Sequence, residues 1–231
     1  MEASCHNIIK VTSLDKMVWE RKYSHGQIYL EYPDEMIVRC VQKHMQPKTH
    51  SKVLDLGCGT GRHSELLASK GFETHSCDIS KSSVAITRNR LRSKGLNGKF
   101  SLFSHSWDLP FESDFFDVVI ASHSIYYNTL KNLRRTIDEI RRILKKDGIL
   151  ITTFIGKRDY RQKYGRLISK NTYIGKETTK DHKGLTYCVF NNITDIRELI
   201  DGKLMEVSYG YNEWYLELDR RVCHWFLIAK K

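Results

Sequence analysis

Apolar residues recur along the chain in two rhythms. Short runs such as Lys52 to Leu56, Phe72 to Cys77, Lys99 to Phe103, Phe116 to Ala121 and Ile149 to Phe154 read as strands, each expected to be followed by helical material. Between them the spacing lengthens. Leu130, Leu133, Ile137, Ile140 and Leu144 step by three and four, which puts them on one helical face and leaves Arg134, Arg135, Arg141 and Arg142 outside. Asp147-Gly148 should end that helix and start the next strand. Near the front, Pro33 suits a first helical turn, with Met36, Ile37, Cys40 and Val41 as its apolar stripe, and a second helix should cover Leu14 to Tyr23. Alternating strands and helices argue for an α/β fold with a parallel sheet and helices on both faces.

Beyond Gly156 the rhythm fades. Lys157 to Gly184 is rich in Lys, Arg, Thr and Gly with little periodicity and reads as an insertion. Two closing strands, about Met205 to Tyr211 and Arg221 to Ala229, should form an antiparallel pair. With 231 residues the chain is expected to be a single domain. It divides into a helical cap over 1–50, a core over 51–155, a basic insertion over 156–190 and a C-terminal helix with closing strands over 191–231.

Composition narrows the function classes. No apolar run approaches the roughly 20 residues of a membrane span, and Met1 to Leu14 carries Glu2 with no continuous apolar stretch, so a cytoplasmic location is expected. Six cysteines (Cys5, Cys40, Cys58, Cys77, Cys188, Cys223) form no C-x-x-C pair and the ten histidines show no ligand spacing with them, so no metal or disulfide framework is expected. The net charge of +11 invites a nucleic-acid partner, but much of it lies in Arg88 to Lys94 and Arg134 to Lys146, which read as solvated helix faces.

Val53-Leu54-Asp55-Leu56-Gly57-Cys58-Gly59-Thr60-Gly61 is an apolar strand running into a glycine turn and then a helix with Leu66, Leu67 and Ala68. Glycines at alternate positions let the backbone turn sharply and approach a ligand with no side chain between. A dinucleotide site wants glycine where Arg62 stands. The stretch resembles motif I of class I S-adenosylmethionine methyltransferases. The likeness continues through Asp78, about twenty residues on as ribose recognition requires, then Asp108 to Phe111, Phe116 to Ile120 and Arg142 to Gly148. It implies a Rossmann-like sandwich with a mostly parallel seven-stranded sheet and an antiparallel C-terminal strand. It also implies S-adenosyl-L-methionine as cofactor, with Asp55 at the methionine end, Gly57, Cys58, Gly59 and Gly61 beneath it, Asp78 on the ribose, and Ile79 beside the adenine. Ser106, Trp107 and Ser122 join that cofactor set. His105 stands where many members place Asp or Asn before the adenine amino group.

Segments outside the core, including Trp19 to Tyr23, Tyr32 to Arg39, Ser124 to Thr129 and His224-Trp225, are similar to small-molecule methyltransferases of tellurite resistance and surface-sugar clusters. Methyl transfer is an in-line displacement, and a hydroxyl nucleophile would benefit from a base. His123, just past the fourth strand at the carboxyl edge of the sheet, is the catalytic candidate. Trp19, Tyr23, Tyr29, Tyr126 and Tyr127 are candidate substrate walls, and Arg39 a candidate for the donor carboxylate. Lys157, Arg158, Arg161, Lys163, Arg166 and Lys170 would attract a phosphate-bearing acceptor. The expected partner is a small-molecule acceptor, with a nucleic-acid methyltransferase and a catalytically silent donor-binding module as alternatives. No proline is followed by proline or cysteine, so two DNA-methyltransferase signatures are absent.

Overall fold

Strands buried on both faces need near-continuous apolar runs, and β1 (Lys52–Leu56) supplies Val53, Leu54 and Leu56 while β4 (Phe116–Ala121) supplies Phe116 and Val118 to Ala121. Their pleat sorts the side chains: Val53, Val118 and Ile120 face one layer, Leu54, Leu56, Val119 and Ala121 the other. The computed structural model describes residues 14–176, 182–216 and 220–231. The elements are α1 (14–24), α2 (Glu35–His44), β1, α3 (Arg62–Ser69), β2 (Glu73–Asp78), α4 (Lys81–Ser93), β3 (Lys99–Leu102), β4 and α5 (Leu130–Ile143). There follow β5 (Leu144–Gly156), α6 (Tyr160–Tyr164), β6 (Gly165–Ser169), β7 (Thr172–Gly175), β8 (Thr186–Phe190), α7 (Ile193–Ile200), β9 (Met205–Tyr215) and β10 (Arg221–Lys230).

The strands β3-β2-β1-β4-β5 run parallel in that order, and β10 adds antiparallel to β5, with β9 antiparallel beyond it. This is the expected Rossmann-like sandwich. The sheet order reverses direction beside β1, so the crevice for a ligand opens at the carboxyl ends of β1 and β4.

Three expectations change. The sheet has ten strands among the described residues, because the insertion carries β6 and β7 and leads into β8, which pairs parallel with the end of β5 at Ile155 and Gly156. Thr186–Phe190 is fully buried and rich in β-formers, but its basic surroundings hid it. No helix follows β3 among the described residues. Instead α5 pins the connecting loop: Glu139 accepts from the Leu109 N–H at 2.8 Å and Arg142 donates to the Phe111 carbonyl at 2.8 Å. Finally, Asp147-Gly148 lies inside β5, where Asp147 takes φ 65° and the register against β4 shifts. Cap Thr129, accepting from the Asn132 N–H, opens α5 as its apolar stripe requires.

Cys40, Cys58, Cys77, Cys188 and Cys223 are free and buried; Cys5 lies outside the described residues. Among the described residues no His, Cys, Asp or Glu group could hold a metal ion, and no helix is long and apolar enough to cross a membrane.

Candidate functional site

The glycine turn leaves β1 at the crevice, and each glycine there has its own reason. Gly57 has φ 78°, and a Cβ on it would lie 2.4 Å from the Cβ of Ser124. Gly59 has φ 55° and would meet the Tyr23 hydroxyl at 2.9 Å, while Gly61, at φ 79°, would meet Thr87. Asp78 at the end of β2 accepts from the Gly59 N–H and the Ser80 N–H, both at 3.0 Å, and burial raises its carboxyl above the ordinary range. Helix α1 roofs this corner. Its Glu20 accepts from the hydroxyls of Ser80 at 2.7 Å and Ser82 at 2.6 Å, which anchors Trp19 and Tyr23 above the turn.

Two cavities meet here. The first is bordered by Gly57, Asp78, Ile79, Phe103, Ser106 and Trp107. The second is bordered by Cys58, Gly59, Tyr29, Arg62, Ser122 and Tyr126, with Arg161 and His182 at its far side. Trp19, Tyr23, Gly57, His123 and Tyr127 belong to both. His105 lies beside Trp107, ring centroids 4.6 Å apart, and also borders the first cavity. The Ser122 hydroxyl is buried without a protein partner.

His123 follows β4 in a left-handed backbone conformation, φ 52°, which costs an L-residue about 1 kcal/mol. Its N–H donates to Thr153 Oγ1 at 2.8 Å, which holds that conformation. The ring Nε2 lies 2.8 Å from Asp34 Oδ2, with 26% of the side chain exposed to the cavities. Burial lowers the imidazole, opposed by the bond to Asp34, and the ring is neutral near pH 7.

A buried polar cluster floors the second cavity. Arg161 donates to both Asp159 oxygens (2.7 and 2.8 Å), to Tyr126 (3.2 Å), Tyr127 (3.4 Å) and His224 Nε2 (2.9 Å). All five of its N–H donors are thereby engaged. His182 bridges Tyr127 at 2.9 Å and Tyr160 at 3.1 Å, and burial drives its imidazole down to about 2.

Three expected site residues stand elsewhere. Asp55 borders neither cavity; it is buried under the turn, accepts from Ser64 at 2.6 Å, and burial raises its carboxyl to about 6. Gly61 lies against α4 rather than a cavity. Arg39 is exposed, pairs with Glu35 one turn back and borders neither cavity. Arg62 borders the second cavity in its place. The insertion's charge also differs from expectation: Lys157, Arg158, Lys163, Arg166 and Lys170 are exposed, and only Arg161 turns inward. Nor is Arg90 on a solvated face, since it binds Glu65 and the carbonyls of Leu30 and Glu31. Sequence reasoning missed Asp34, Asp159, His182 and the role of His224, which meet only through the fold.

Residues 53–148 match the methyltransferase domain family. The chain is 34% identical over 112 residues to a demethylmenaquinone methyltransferase of Leptospira interrogans, covering 47% of this chain and 44% of that protein. It is 24% identical over 205 residues to a ubiquinone biosynthesis O-methyltransferase of Rickettsia typhi, covering 85% and 80%. The chain thus spans less than half the length of the first of these relatives. The solved structure of a SAM-dependent methyltransferase from Methanosarcina mazei superposes with a TM-score of 0.70 at 21% identity, over 87% of this chain and 98% of that one, a likeness of fold.

Proposed function

We propose, from the premise that this chain belongs to the class I S-adenosylmethionine-dependent methyltransferase family, that it moves a methyl group from that donor to a small-molecule acceptor. The family's donor is a sulfonium that supplies an activated methyl group. The observation that carries the reading is the meeting of two cavities at Gly57, His123 and Tyr127. Displacement at carbon needs donor and nucleophile on opposite sides of one methyl group, and two cavities that meet at shared residues suit that alignment.

The residues fit the donor. Asp78 borders the first cavity with its carboxylate already oriented by two main-chain N–H groups, as ribose hydroxyls require. Ile79, Phe103 and Trp107 offer apolar faces to an adenine, with His105 and Ser106 on the same wall. Cys58 and Gly59 carry the turn below the methionine end, and Arg62 is the cation suited to its carboxylate. Ser122 borders the second cavity with its hydroxyl buried behind it. Tyr126, Tyr127, Trp19, Tyr23 and Tyr29 wall the acceptor, and His123 is the base.

The names of two relatives, for demethylmenaquinone and for ubiquinone biosynthesis, support a small-molecule acceptor. A phosphate-bearing or surface-sugar precursor draws less support, because Arg161, the one inward cation of the insertion among the described residues, is committed to Asp159. A nucleic-acid acceptor is likewise disfavoured: Arg142, Lys145 and Lys203 around α5 are each paired with a carboxylate.

Calorimetry with S-adenosylmethionine, its demethylated product and NAD, followed by a labelled-methyl assay on small-molecule and RNA pools, tests the reading. Binding of the first two ligands with label in the small-molecule pool is expected. Label in RNA would transfer the assignment to a nucleic-acid acceptor, and binding without transfer to a silent module. His123→Ala should lower turnover about a hundredfold with donor affinity nearly intact; unchanged turnover would remove the base.

A further inference from the structure

The surroundings of His123 bear on the atom that receives the methyl group, an inference that rests on the proposed transfer. Asp34 is fixed on three sides. Its Oδ1 accepts from the Met36 N–H at 3.1 Å and caps α2, its own N–H donates to His63 Nε2 at 3.2 Å, and its Oδ2 meets His123 Nε2 at 2.8 Å. Burial holds His63 neutral, with its imidazole down to about 3, so His63 is an acceptor there. A carboxylate only accepts, so Nε2 of His123 carries the proton and Nδ1 the lone pair.

What faces Nδ1 matters as much. The Tyr126 hydroxyl lies 3.4 Å away, at the outer limit of a hydrogen bond, and its oxygen already accepts from Arg161. His224 Nε2 also lies 3.4 Å from that oxygen but already accepts from Arg161 at 2.9 Å, so the phenolic proton turns toward Nδ1. The link is long, and His123 and Tyr126 both border the second cavity. The other groups around the ring are Arg62 and His63 from α3, Arg161 from α6, and His224 from β10, whose ring centroid is 4.5 Å away. Both arginines disfavour a second proton on the ring, and Asp34 is the one carboxylate among these groups that favours it.

We infer that Asp34 is a positioning residue that sets His123 as an Nδ1 base, and that the acceptor of this chain presents a hydroxyl and is methylated on oxygen. A neutral amine already has its lone pair and a thiol ionises near pH 8.5, whereas an alcohol or phenol must give up a proton as it attacks. As the acceptor oxygen bonds to the methyl carbon, the carbon–sulfur bond breaks with its electron pair going to sulfur. The hydroxyl proton moves to Nδ1. The imidazolium is held against Asp34 and then gives its extra proton to solvent, so one methyl ether, one thioether and one proton result.

Asp34→Asn is the test, because Asn retains a side-chain oxygen for the α2 cap while removing the charge. Nitrogen-15 NMR of the imidazoles should show His123 protonated at Nε2 in the parent chain, with a mixed tautomer and a lower titration midpoint in the variant. Turnover in the labelled-methyl assay should fall about tenfold or more, the acid limb of the kcat/KM profile should move to lower pH, and donor affinity should stay level. Hot hydriodic acid should release the label from the product as methyl iodide, the behaviour of an O-methyl group. An Nδ1-protonated ring in the parent, or the same tautomer in both chains, would overturn the role of Asp34; label surviving the acid would overturn the hydroxyl acceptor. If the parent neither binds donor nor transfers label, the methyltransferase reading itself fails, and the tautomer still decides the positioning role.

Discussion

The glycine turn and the chamber around Arg161 lie against the same histidine, but they use different parts of the chain. The turn works with backbone: positive-φ glycines, two main-chain N–H groups on Asp78, and few side chains between Leu56 and the ligand space. The chamber works with side chains drawn from α2's cap, α6, β10 and the approach to β8. One region is local and sterically strict; the other is assembled and electrostatically strict. They should therefore fail in different ways.

The largest difference should come from Arg161→Leu. Asp159 is fully buried and would lose its bidentate partner, an uncompensated charge that costs about 3–5 kcal/mol. The melting temperature should fall by roughly 10 °C, while the folded fraction binds donor as before; a small shift would mean that the cluster is not closed to water. Gly57→Ala should act in the opposite manner. The αL backbone alone costs about 1–2 kcal/mol, and the contact with Ser124 adds to it. Donor affinity by calorimetry should drop more than stability does.

A gentler change sharpens the contrast. Asp78→Asn should weaken donor binding about tenfold, yet leave the melting temperature level or higher, since burial already disfavours that carboxylate. Equal losses in both measurements would make Asp78 a fold residue. The last effect appears only with pH. Asp15 in α1 borders the first cavity and accepts from the Thr186 N–H at 3.1 Å; burial, only partly offset by that bond, raises it from 3.8 to about 7. The folded chain thus keeps a proton that the unfolded chain loses above pH 3.8, so stability declines from there and the loss is complete above about 7. Asp15→Asn should remove that decline and melt higher than the parent above pH 7, with no advantage below pH 4, in thermal scans across the range.

The same contrast explains what could be read from the sequence. Val53 to Asp78 announces strand, turn, helix and acid within one short stretch, because each feature depends on near neighbours. The chamber depends on meetings across 89 residues for Asp34 and His123, and 63 for Arg161 and His224, which no spacing rule records. Arg39 is instructive. The stripe of Ile37, Cys40 and Val41 that marks α2 also puts Arg39 on the opposite face, so helical periodicity already excluded it from the interior. Charge counting misled twice: Arg90 does not lie on a solvated face and Arg161 is not held open for an anionic acceptor, since both tie segments together. Strand β8 was hidden by the basic residues before it, although its own six-residue stretch from Leu185 is wholly buried.

Glu20 holds the roof helix to Ser80 and Ser82, and the Ser80 N–H is held by Asp78. The roof is thus tethered to the acid that borders the first cavity, and the two cavities beneath it share Trp19 and Tyr23. The consequence is kinetic. On the proposed reading a ligand seated below the roof should load first and leave last, and product inhibition by the demethylated donor, competitive against the donor alone, is the kinetic pattern that tests it.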